Sequence, residues 1–323
     1  MTDPRREFAI IDQYFAGLIT TTSPEIRLGP GDDCGIFSVP TGAEVCISTD
    51  TLTAGVHFPL DAAPAVVAHR ALVANLSDLA AMGACPLTCT LALTLDAKSA
   101  TDSWLAPFAE RLRQLIAEYA IPLIGGNLSH GPLSLTFTVL GTVPEGRALR
   151  RDGAQLGDDV YITGYPGDAA AGLAQLQKAD GPQAQALLNR YQYPTPRLAT
   201  ALALRGIASS AIDISDGLLA DLGHISERSH VGIEIGLDRL PLSSALTESF
   251  AVAQCREFAL AGGDDYELGF TASVAQREAI SALKRSTQVP ISRIGRVVDG
   301  GQVQVVDASG RVVPVNYRGY THF

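Results

Sequence analysis

Alternation of apolar and polar residues marks short strands along the whole chain. Residues 132–143, "PLSLTFTVLGTV", place Leu133, Leu135, Phe137 and Val139 at every second position. This period predicts a strand with one buried face, because successive side chains of a strand point to opposite faces. Similar short runs predict further strands at residues 44–52, 159–164, 209–215, 231–236, 290–298 and 303–307.

Helically spaced apolar residues mark the segments between these strands. Pro64 suits the first turn of a helix that continues to residue 84, in which Val66, Val73 and Leu76 share a face. A second helix, capped by Asp102 or Ser103, carries an apolar stripe of Leu105, Phe108, Leu112, Leu115 and Tyr119. Further helices are predicted near residues 168–177, 183–206, 216–229 and 273–285.

Strands and helices interleave in both halves of the chain, which indicates α/β or α+β folding. A length of 323 residues exceeds that of one ordinary domain, so we expect two domains. The polar, glycine-containing segment 143–159 is the best candidate for the boundary between them. We therefore assign residues 1–145 to an N-terminal domain and residues 146–323 to a C-terminal domain.

Composition and charge exclude several classes of protein. A formal net charge of −10 argues against the basic face that nucleic acids require. No apolar run reaches the roughly 18 residues of a membrane span, and the N-terminus lacks the apolar core of a signal peptide. Five cysteines, an odd number without the spacing of zinc ligands, predict free thiols. We expect a soluble, cytoplasmic protein.

Aspartates recur in five short polar motifs. The motifs are "GPGDDC" at 29–34, "STDT" at 48–51, "NLSD" at 75–78, "DISDG" at 213–217 and "GGDDYEL" at 262–268. Singly, such aspartates commonly cap helices or occupy turns. Asp78 does not fit that explanation, because it falls on a predicted helix among small apolar residues, where an unpaired charge is costly.

Convergence of these motifs would require cations. Two carboxylates about 4 Å apart repel each other by about 4 kcal/mol at an effective dielectric constant near 20. Carboxylate and carbonyl oxygens are ligands of hard cations, so Mg²⁺, Mn²⁺ and Ca²⁺ all suit them. The flanking glycines permit tight turns and close approach of the main chain to a ligand. We therefore predict a site that holds several divalent cations.

Clusters of this kind mostly serve phosphate groups, yet the usual phosphate-binding devices are absent. The sequence has no glycine-rich loop ending in Gly-Lys-Ser or Gly-Lys-Thr. It has only three lysines, and none adjoins an acidic motif. Neutralisation of a polyphosphate would therefore fall to metal ions and to arginines, for which Arg147, Arg150 and Arg151 near the domain boundary are candidates.

Six motifs follow one another between residues 31 and 323: "GDDC", "ISTDTLTAGVHF", "NLSDLAAMGA", "DISDGLLADLGHI", "GGDDYEL" and "GYTHF". This set resembles the thiamine-monophosphate kinase family, and the resemblance runs from about residue 7 to residue 323. The resemblance implies the two-domain fold of aminoimidazole-ribonucleotide synthase, with a mixed N-terminal sheet plus helices and a C-terminal α/β sandwich. It further implies ATP-dependent phosphorylation of thiamine monophosphate to thiamine diphosphate, several Mg²⁺ ions, and a homodimer built through the N-terminal domains.

The resemblance also implies roles for individual residues. Metal-ligand positions of the family correspond to Asp33, Ser48, Thr49, Asp50, Asp78, Asn127, Asp213 and Asp216. ATP contacts correspond to Gly126, Asn127, Arg151 and Ser215. Substrate contacts correspond to His57, Asp264 and Tyr320, and an aromatic ring suits the cationic thiazolium. We assign no nucleophile or general base, because metal ions assist a direct transfer.

The chain departs from the family pattern at two of these positions. Asn127 stands where the family usually has a metal-binding aspartate, and its amide oxygen can coordinate Mg²⁺ without adding charge. Asp264 stands where a glutamate is usual, so the side chain is one methylene shorter.

Three alternatives to this kinase activity stay open. One is another ATP-dependent enzyme of the same fold. A second is a nucleotide- or thiamine-phosphate-binding protein whose catalysis is weakened or lost, for which Asn127 is the relevant substitution. A third, a structural protein stabilised by Ca²⁺, would show no preference for ATP.

Overall fold

The computed structural model describes residues 5–18, 24–30, 32–176, 180–315 and 319–320. The chain divides into two compact units. The first comprises Met1–Leu79 and Ala84–Gly146, and the second comprises Ala80–Gly83 and Arg147–Phe323. The last three residues of the C-terminal motif "GYTHF" lie outside the described residues.

The first unit is built on a four-stranded sheet. Its strands lie in the order β3-β6-β4-β5, in which β4 and β5 are parallel and the other pairs antiparallel. The strands of this unit are β1 (Ile26–Leu28), β2 (Ile36–Phe37), β3 (Ala43–Thr53), β4 (Cys85–Leu95), β5 (Leu123–His130) and β6 (Ser134–Pro144). Its helices are α1 (Arg5–Ile10), α2 (Pro64–Ala81) and α3 (Asp102–Tyr119). The short strands β1 and β2 pair separately.

Only one face of this sheet is buried. The predicted alternation along β6 is confirmed, because Leu135, Phe137 and Val139 are buried while the residues between them are half-buried. The predicted stripe of α3 is also buried, from Leu105 to Leu115. On β3 the outer face carries exposed apolar residues, and the side chain of Ile47 is 66% exposed.

The second unit is built on a six-stranded sheet. Its strands lie in the order β12-β9-β11-β7-β10-β8, and every pair except β12 with β9 is antiparallel. They are β7 (Asp159–Thr163), β8 (Ser210–Ile214), β9 (Gly232–Gly236), β10 (Glu267–Ala272), β11 (Ile291–Val298) and β12 (Val303–Val306). The helices are α4 (Asp168–Gln175), α5 (Gly181–Gln192), α6 (Leu198–Leu204), α7 (Leu218–Ser229), α8 (Ser244–Ser249), α9 (Val252–Ala261) and α10 (Arg277–Thr287).

Both faces of this second sheet are covered. Strands β7, β8 and β10 are buried along their whole length, as expected of a sheet enclosed by helices. Leu218, Leu222 and Ile225 of α7 pack in the core with the apolar residues of the strands. A smaller cluster joins α4, α5, α8 and α9.

Some sequence-based assignments were wrong or incomplete. The single helix predicted for 183–206 is two helices, α5 and α6, because Pro194 and Pro196 fall between them and cannot continue a helix. The elements that were not predicted are strands β1, β2, β4, β5 and β10 and helices α1, α8 and α9. Strand β4 places apolar residues at every second position from Leu87 to Leu95 and was overlooked, whereas β5 contains the glycine pair Gly125–Gly126, which is unusual within a strand.

Two observations bear on broader expectations. Across the described residues, no helix is both long and apolar enough to cross a bilayer. All five cysteines are free thiols, as the sequence predicted. The roles given to the two domains stay predictions.

Candidate active site

The first group of candidate residues lies where β3 passes over α2. Ser48 donates a hydrogen bond from Oγ to Oδ2 of Asp78, at 2.5 Å. The main-chain N–H of Asp50 donates to Oδ1 of Asn75, at 3.1 Å. Ser48 and Asp50 share the inner face of β3, since they are two residues apart. The structure therefore pairs the hydroxyl of Ser48 with the carboxylate of Asp78 and places Asp50 on the same face of β3.

Thr49 belongs to the opposite face of the same strand. Its side chain is exposed, and its Oγ1 lies 2.9 Å from Oγ1 of Thr138 on β6. The side chains of Ser48, Thr49 and Asp50 therefore do not form one set of ligands. A metal held on the inner face would receive side-chain oxygens from Ser48 and Asp50, and only main-chain atoms from Thr49.

His57 is oriented by the turn that follows β3. Its Nδ1 accepts the N–H of Thr53 at 3.0 Å, and its carbonyl accepts from Nη2 of the buried Arg70 at 3.4 Å. A ring nitrogen that accepts a hydrogen bond carries no proton, so a neutral His57 has its proton on Nε2.

A second group of candidates lines a cavity of about 680 Å³ within the first unit. Asp33, Gly126 and Asn127 contribute to its wall, beside apolar residues of β4 and β5. Asp32 also lines the cavity, and its Oδ1 accepts the N–H of Asp33 at 2.8 Å, so Asp32 shapes the loop. A Cβ at Gly126 would lie 2.1 Å from the carbonyl oxygen of Leu91, which leaves glycine as the residue that fits.

The two groups of the first unit are separated in this chain. Asn127 lies on β5 and Asp50 on β3, which are opposite edges of the sheet. Three strand spacings of about 4.8 Å place them about 14 Å apart. The sequence assigned these five residues to several Mg²⁺ ions, and the structure forms one group at Ser48, Asp50 and Asp78 and another at Asp33 and Asn127.

In the second unit, three segments meet beyond the end of β8. The carbonyl of Ser215 accepts the N–H of Asp264 at 2.8 Å, and the carbonyl of Asp216 accepts the N–H of Tyr320 at 3.0 Å. Asp213 is buried near the end of β8. The structure thus gathers five of the candidate residues that the sequence placed in the second domain.

Glycines allow this close approach of three main chains. A Cβ at Gly263 would lie 2.5 Å from the carbonyl oxygen of Ser215, and one at Gly319 would lie 2.6 Å from that of Asp216. Gly217 has a φ of +126°, which residues with a side chain rarely adopt. The glycines of the acidic motifs therefore serve main-chain packing as well as access for a ligand.

Asp221 shapes the turn that carries Ser215 and Asp216. Its Oδ2 accepts the main-chain N–H groups of Ser215, Asp216 and Gly217 at 3.0, 3.1 and 3.1 Å. Burial, together with the neighbouring charge of Asp216, raises the pKa of Asp221 to about 7 in spite of these donors. Asp221 was not among the predicted site residues, although an acid in the first turn of a helix directly after "DISDG" is a recognisable signal.

Two further acids of "GGDDYEL" are buried beside Asp264. Asp265 accepts the N–H groups of Gly167 and Ala169, at 2.6 and 3.2 Å, and burial raises its pKa well above the usual range. Burial alone would raise the pKa of Glu267 too, but Arg197 and Arg190 hold it below its ordinary value. These two acids were also missed, because the sequence does not tell which acids of a motif point inward.

Arg151 lies apart from the group at Ser215 and Asp216. Its carbonyl accepts from Oγ of Ser229, at 2.7 Å, near the C-terminal end of α7. Asp216 precedes the N-terminal end of the same helix, and 12 residues span about 18 Å. The structure does not bring these two predicted contacts together within the second unit.

Comparison with known proteins gives these groups a common context. The N-terminal and C-terminal domain models of AIR synthase related proteins match residues 31–143 and 155–308. Thiamine-monophosphate kinase of Escherichia coli (strain K12) is 44% identical over 321 residues, which cover 98% of each chain. This chain belongs to the thiamine-monophosphate kinase family.

Solved structures agree with this membership. The crystal structure of thiamine-monophosphate kinase from Stenotrophomonas maltophilia K279a has a TM-score of 0.86 and 43% identity, and the match covers 95% of this chain and 98% of that one. AaThiL complexed with AMPPCP and TMP has a TM-score of 0.78 and 31% identity, with 88% and 89% covered. The family and the mixed α/β, two-domain fold inferred from the motifs are thereby confirmed.

The donor atoms in this family member fit Mg²⁺ held jointly with phosphates. Among the residues that the structure describes, no three or more His, Cys, Asp or Glu side chains converge on one point that could hold a metal ion. Each group of the first unit instead offers one or two carboxylates with hydroxyl or amide oxygens, and the proposed ligands of the second unit are the two carboxylates of Asp213 and Asp216. Mg²⁺ is commonly bound by one or two carboxylates together with water and substrate phosphates, so these residues suit that cation.

The close approach at Gly263 generates a prediction about stability. Gly263→Ala should lower the free energy of unfolding by about 1–3 kcal/mol, because the new methyl group collides with the Ser215 carbonyl. Gly223→Ala is the matched control, since Gly223 lies within α7 and no described atom would be within 4 Å of the methyl group added there. It should stabilise the protein by about 0.5–1 kcal/mol. Urea unfolding measures both, and equal effects would contradict the packing at Gly263.

Proposed function

We infer that this protein transfers the γ-phosphoryl group of ATP to thiamine monophosphate, yielding thiamine diphosphate and ADP. The observation that carries this conclusion is the 44% identity to the Escherichia coli kinase, which extends over 98% of both chains. The structure of AaThiL complexed with AMPPCP and TMP supports it, because AMPPCP is an analogue of ATP.

The reaction is a direct displacement at phosphorus. A phosphate oxygen of thiamine monophosphate forms a bond to Pγ of ATP while the bond from Pγ to the β–γ bridging oxygen breaks. ADP leaves with that electron pair. The acceptor is already anionic near pH 7, so no protein base needs to remove a proton. Catalysis in such transfers comes mainly from alignment and from relief of charge repulsion.

We propose that the acidic groups supply this relief through Mg²⁺. The proposed metal ligands are Asp33, Ser48, Thr49, Asp50, Asp78, Asn127, Asp213 and Asp216. Bound Mg²⁺ would neutralise the phosphates and hold them in line. The inner-face pairing of Ser48 with Asp78 supports side-chain ligation there, and the outer-face position of Thr49 leaves only its main chain.

The remaining candidates are proposed to contact the two substrates. Gly126 and Asn127 line the cavity of the first unit, and we assign them, with Arg151 and Ser215, to ATP. We assign His57, Asp264 and Tyr320 to thiamine monophosphate. The ring of Tyr320 is 47% exposed and can stack on a cationic thiazolium, while the Asp264 carboxylate can pair with that cation. His57 can donate from Nε2.

The first test measures product formation. ADP and thiamine diphosphate should appear in equal amounts from ATP, Mg²⁺ and thiamine monophosphate, and a chelator should abolish both. Asp78→Asn should lower kcat by about a hundredfold or more, because it removes a proposed ligand charge while keeping an acceptor for Ser48. Asp61→Asn, at an exposed carboxylate of the same unit, is the control and should change little.

The outcomes separate the candidate functions. Binding of both ligands without ADP release would favour a binding protein that has lost catalysis. ADP release that depends on another acceptor would favour a different enzyme of the fold. Normal turnover in Asp78→Asn at an unchanged Mg²⁺ requirement would remove Asp78 from the metal ligands.

Asn127 gives a separate prediction. Asn127→Asp should lower the Mg²⁺ concentration for half-maximal rate by about threefold to tenfold, because it adds a ligand charge beside the cavity. Ser129→Asp, two residues further along the same face of β5, controls for a general effect of added charge. An Mg²⁺ requirement that is unchanged, or that falls equally in both variants, would show that the amide of Asn127 does not weaken the use of Mg²⁺.

We also propose that the protein is a cytoplasmic homodimer formed through its first domain. The outer face of β3 supports this proposal, because Val45 and Ile47 are 42% and 66% exposed on it. Light scattering should give twice the mass of one chain, and Ile47→Glu should halve it. Leu156→Glu, at a similarly exposed residue of the second unit, should leave the mass unchanged. A wild-type mass of one chain would refute the dimer.

A further inference from the structure

The segment that carries Asp264 has a strained main chain. Asp264 and Tyr266 have φ angles of +68° and +51°, in the left-handed region that residues with side chains seldom adopt. Two such residues within three positions persist only where the surroundings determine them. The direction of the Asp264 side chain therefore depends on what holds this segment.

One anchor of the segment is the side chain of Asp265. It points into the protein and accepts the N–H groups of Gly167 and Ala169, at the start of α4. Arg190 adds a bond from Nη2 to the carbonyl of Asp265, at 3.3 Å. Asp265 is fully buried, whereas its neighbour Asp264 is half-buried and accepts a hydrogen bond from the hydroxyl of Tyr266, at 3.2 Å.

The other anchor is Glu267, which is fully buried at the start of β10. Arg197 holds it with a two-pronged contact, through Nε at 2.6 Å and through Nη2. Arg190 Nη2 and Thr163 Oγ1 donate at 2.7 and 2.6 Å. A Cβ at Gly164 would lie 2.1 Å from Oε1 of Glu267, so the neighbouring strand end leaves room for this carboxylate.

Such a cluster is better suited to fixing geometry than to adding stability. Removing a carboxylate and two guanidinium groups from water costs about as much as their attraction returns, so apolar residues could fill this space without loss. A guanidinium fork, however, sets both the position and the orientation of its carboxylate. The cluster therefore fixes where β10 begins, and with it the segment that precedes β10.

We propose that Arg197 is a positioning residue for thiamine monophosphate, acting through Glu267 to keep Asp264 directed at the ligand. The proposal rests on the proposed function, in which Asp264 contacts that substrate. Glu267 and Asp265 face inward and are held, so Asp264 between Gly263 and Asp265 is turned outward. Arg197 itself touches no reactant.

The test uses Arg197→Lys, which keeps the positive charge and removes the fork. It should raise KM for thiamine monophosphate by about tenfold and leave KM for ATP within about twofold. Arg277→Lys is the matched control, because Nε and Nη2 of Arg277 donate to the two carboxylate oxygens of Asp159, at 2.5 and 2.8 Å, in the same two-pronged contact. Asp159 is the first residue of β7, whereas Glu267 contacts Thr163 at the last residue of that strand. The control should leave both KM values unchanged, whatever it does to the melting temperature.

A double-mutant cycle identifies the route of the effect. If Arg197 acts through Asp264, then Arg197→Lys combined with Asp264→Asn should be no worse than Asp264→Asn alone. Multiplied losses would show an independent effect and overturn the proposal. Equal increases of both KM values, or increases that Arg277→Lys reproduces, would also overturn it, since they indicate general loosening of the fold.

Hydrogen exchange separates a failure of this proposal from a failure of the proposed function. The amides of Asp264 and Tyr266 donate to the carbonyls of Ser215 and Ile214, both at 2.8 Å. Arg197→Lys should speed their exchange by about tenfold, and Arg277→Lys should not. If the wild-type protein forms no thiamine diphosphate, the proposed function fails. The exchange rates would still show whether Arg197 holds the segment that carries Asp264. Unchanged exchange in Arg197→Lys would overturn the proposal.

Discussion

Buried carboxylates that accept main-chain N–H groups determine the shape of the candidate site in the second unit. Asp221 holds three such groups in the turn after β8, and Asp265 holds two at the start of α4. A buried carboxylate is costly unless it is fully hydrogen-bonded, so each of these acids favours one arrangement of its loop. The half-buried acids Asp216 and Asp264 can present oxygens to a ligand because the buried ones hold the main chain.

Each acidic motif of the second unit therefore combines two kinds of acid. In "GGDDYEL" the half-buried Asp264 alternates in direction with the buried Asp265 and Glu267. The left-handed conformations of Asp264 and Tyr266 cost about 1–2 kcal/mol each. That cost is of the size that a few charge-assisted hydrogen bonds offset. The rigidity of this segment, rather than the number of its charges, is what an enzyme that must align two phosphates requires.

Many of the strands and acidic residues could be predicted from the sequence, and the ones that were not predicted can be named individually. The period of Leu133 to Val139 revealed β6, because one of its faces is buried and the other is not. Strand β4 was overlooked although Leu87, Cys89, Leu91, Leu93 and Leu95 recur at every second position, so this miss has no structural cause. The motifs located the acids, yet the role of Glu267 went unnoticed, because it depends on partners distant in sequence such as Arg197. Asp221 was overlooked although its partners lie four to six residues away.

Strand β3 carries the proposed metal ligands Ser48 and Asp50 on one face and exposed apolar residues on the other. Ser48 and Asp50 face α2, while Ile47 and Thr49 face outward. Substitutions on either face leave the other undisturbed, because successive side chains alternate. Insertion or deletion of one residue within β3 would exchange the two faces and disable both at once. The two faces of this strand can therefore change composition independently of each other, whereas its length is constrained by both.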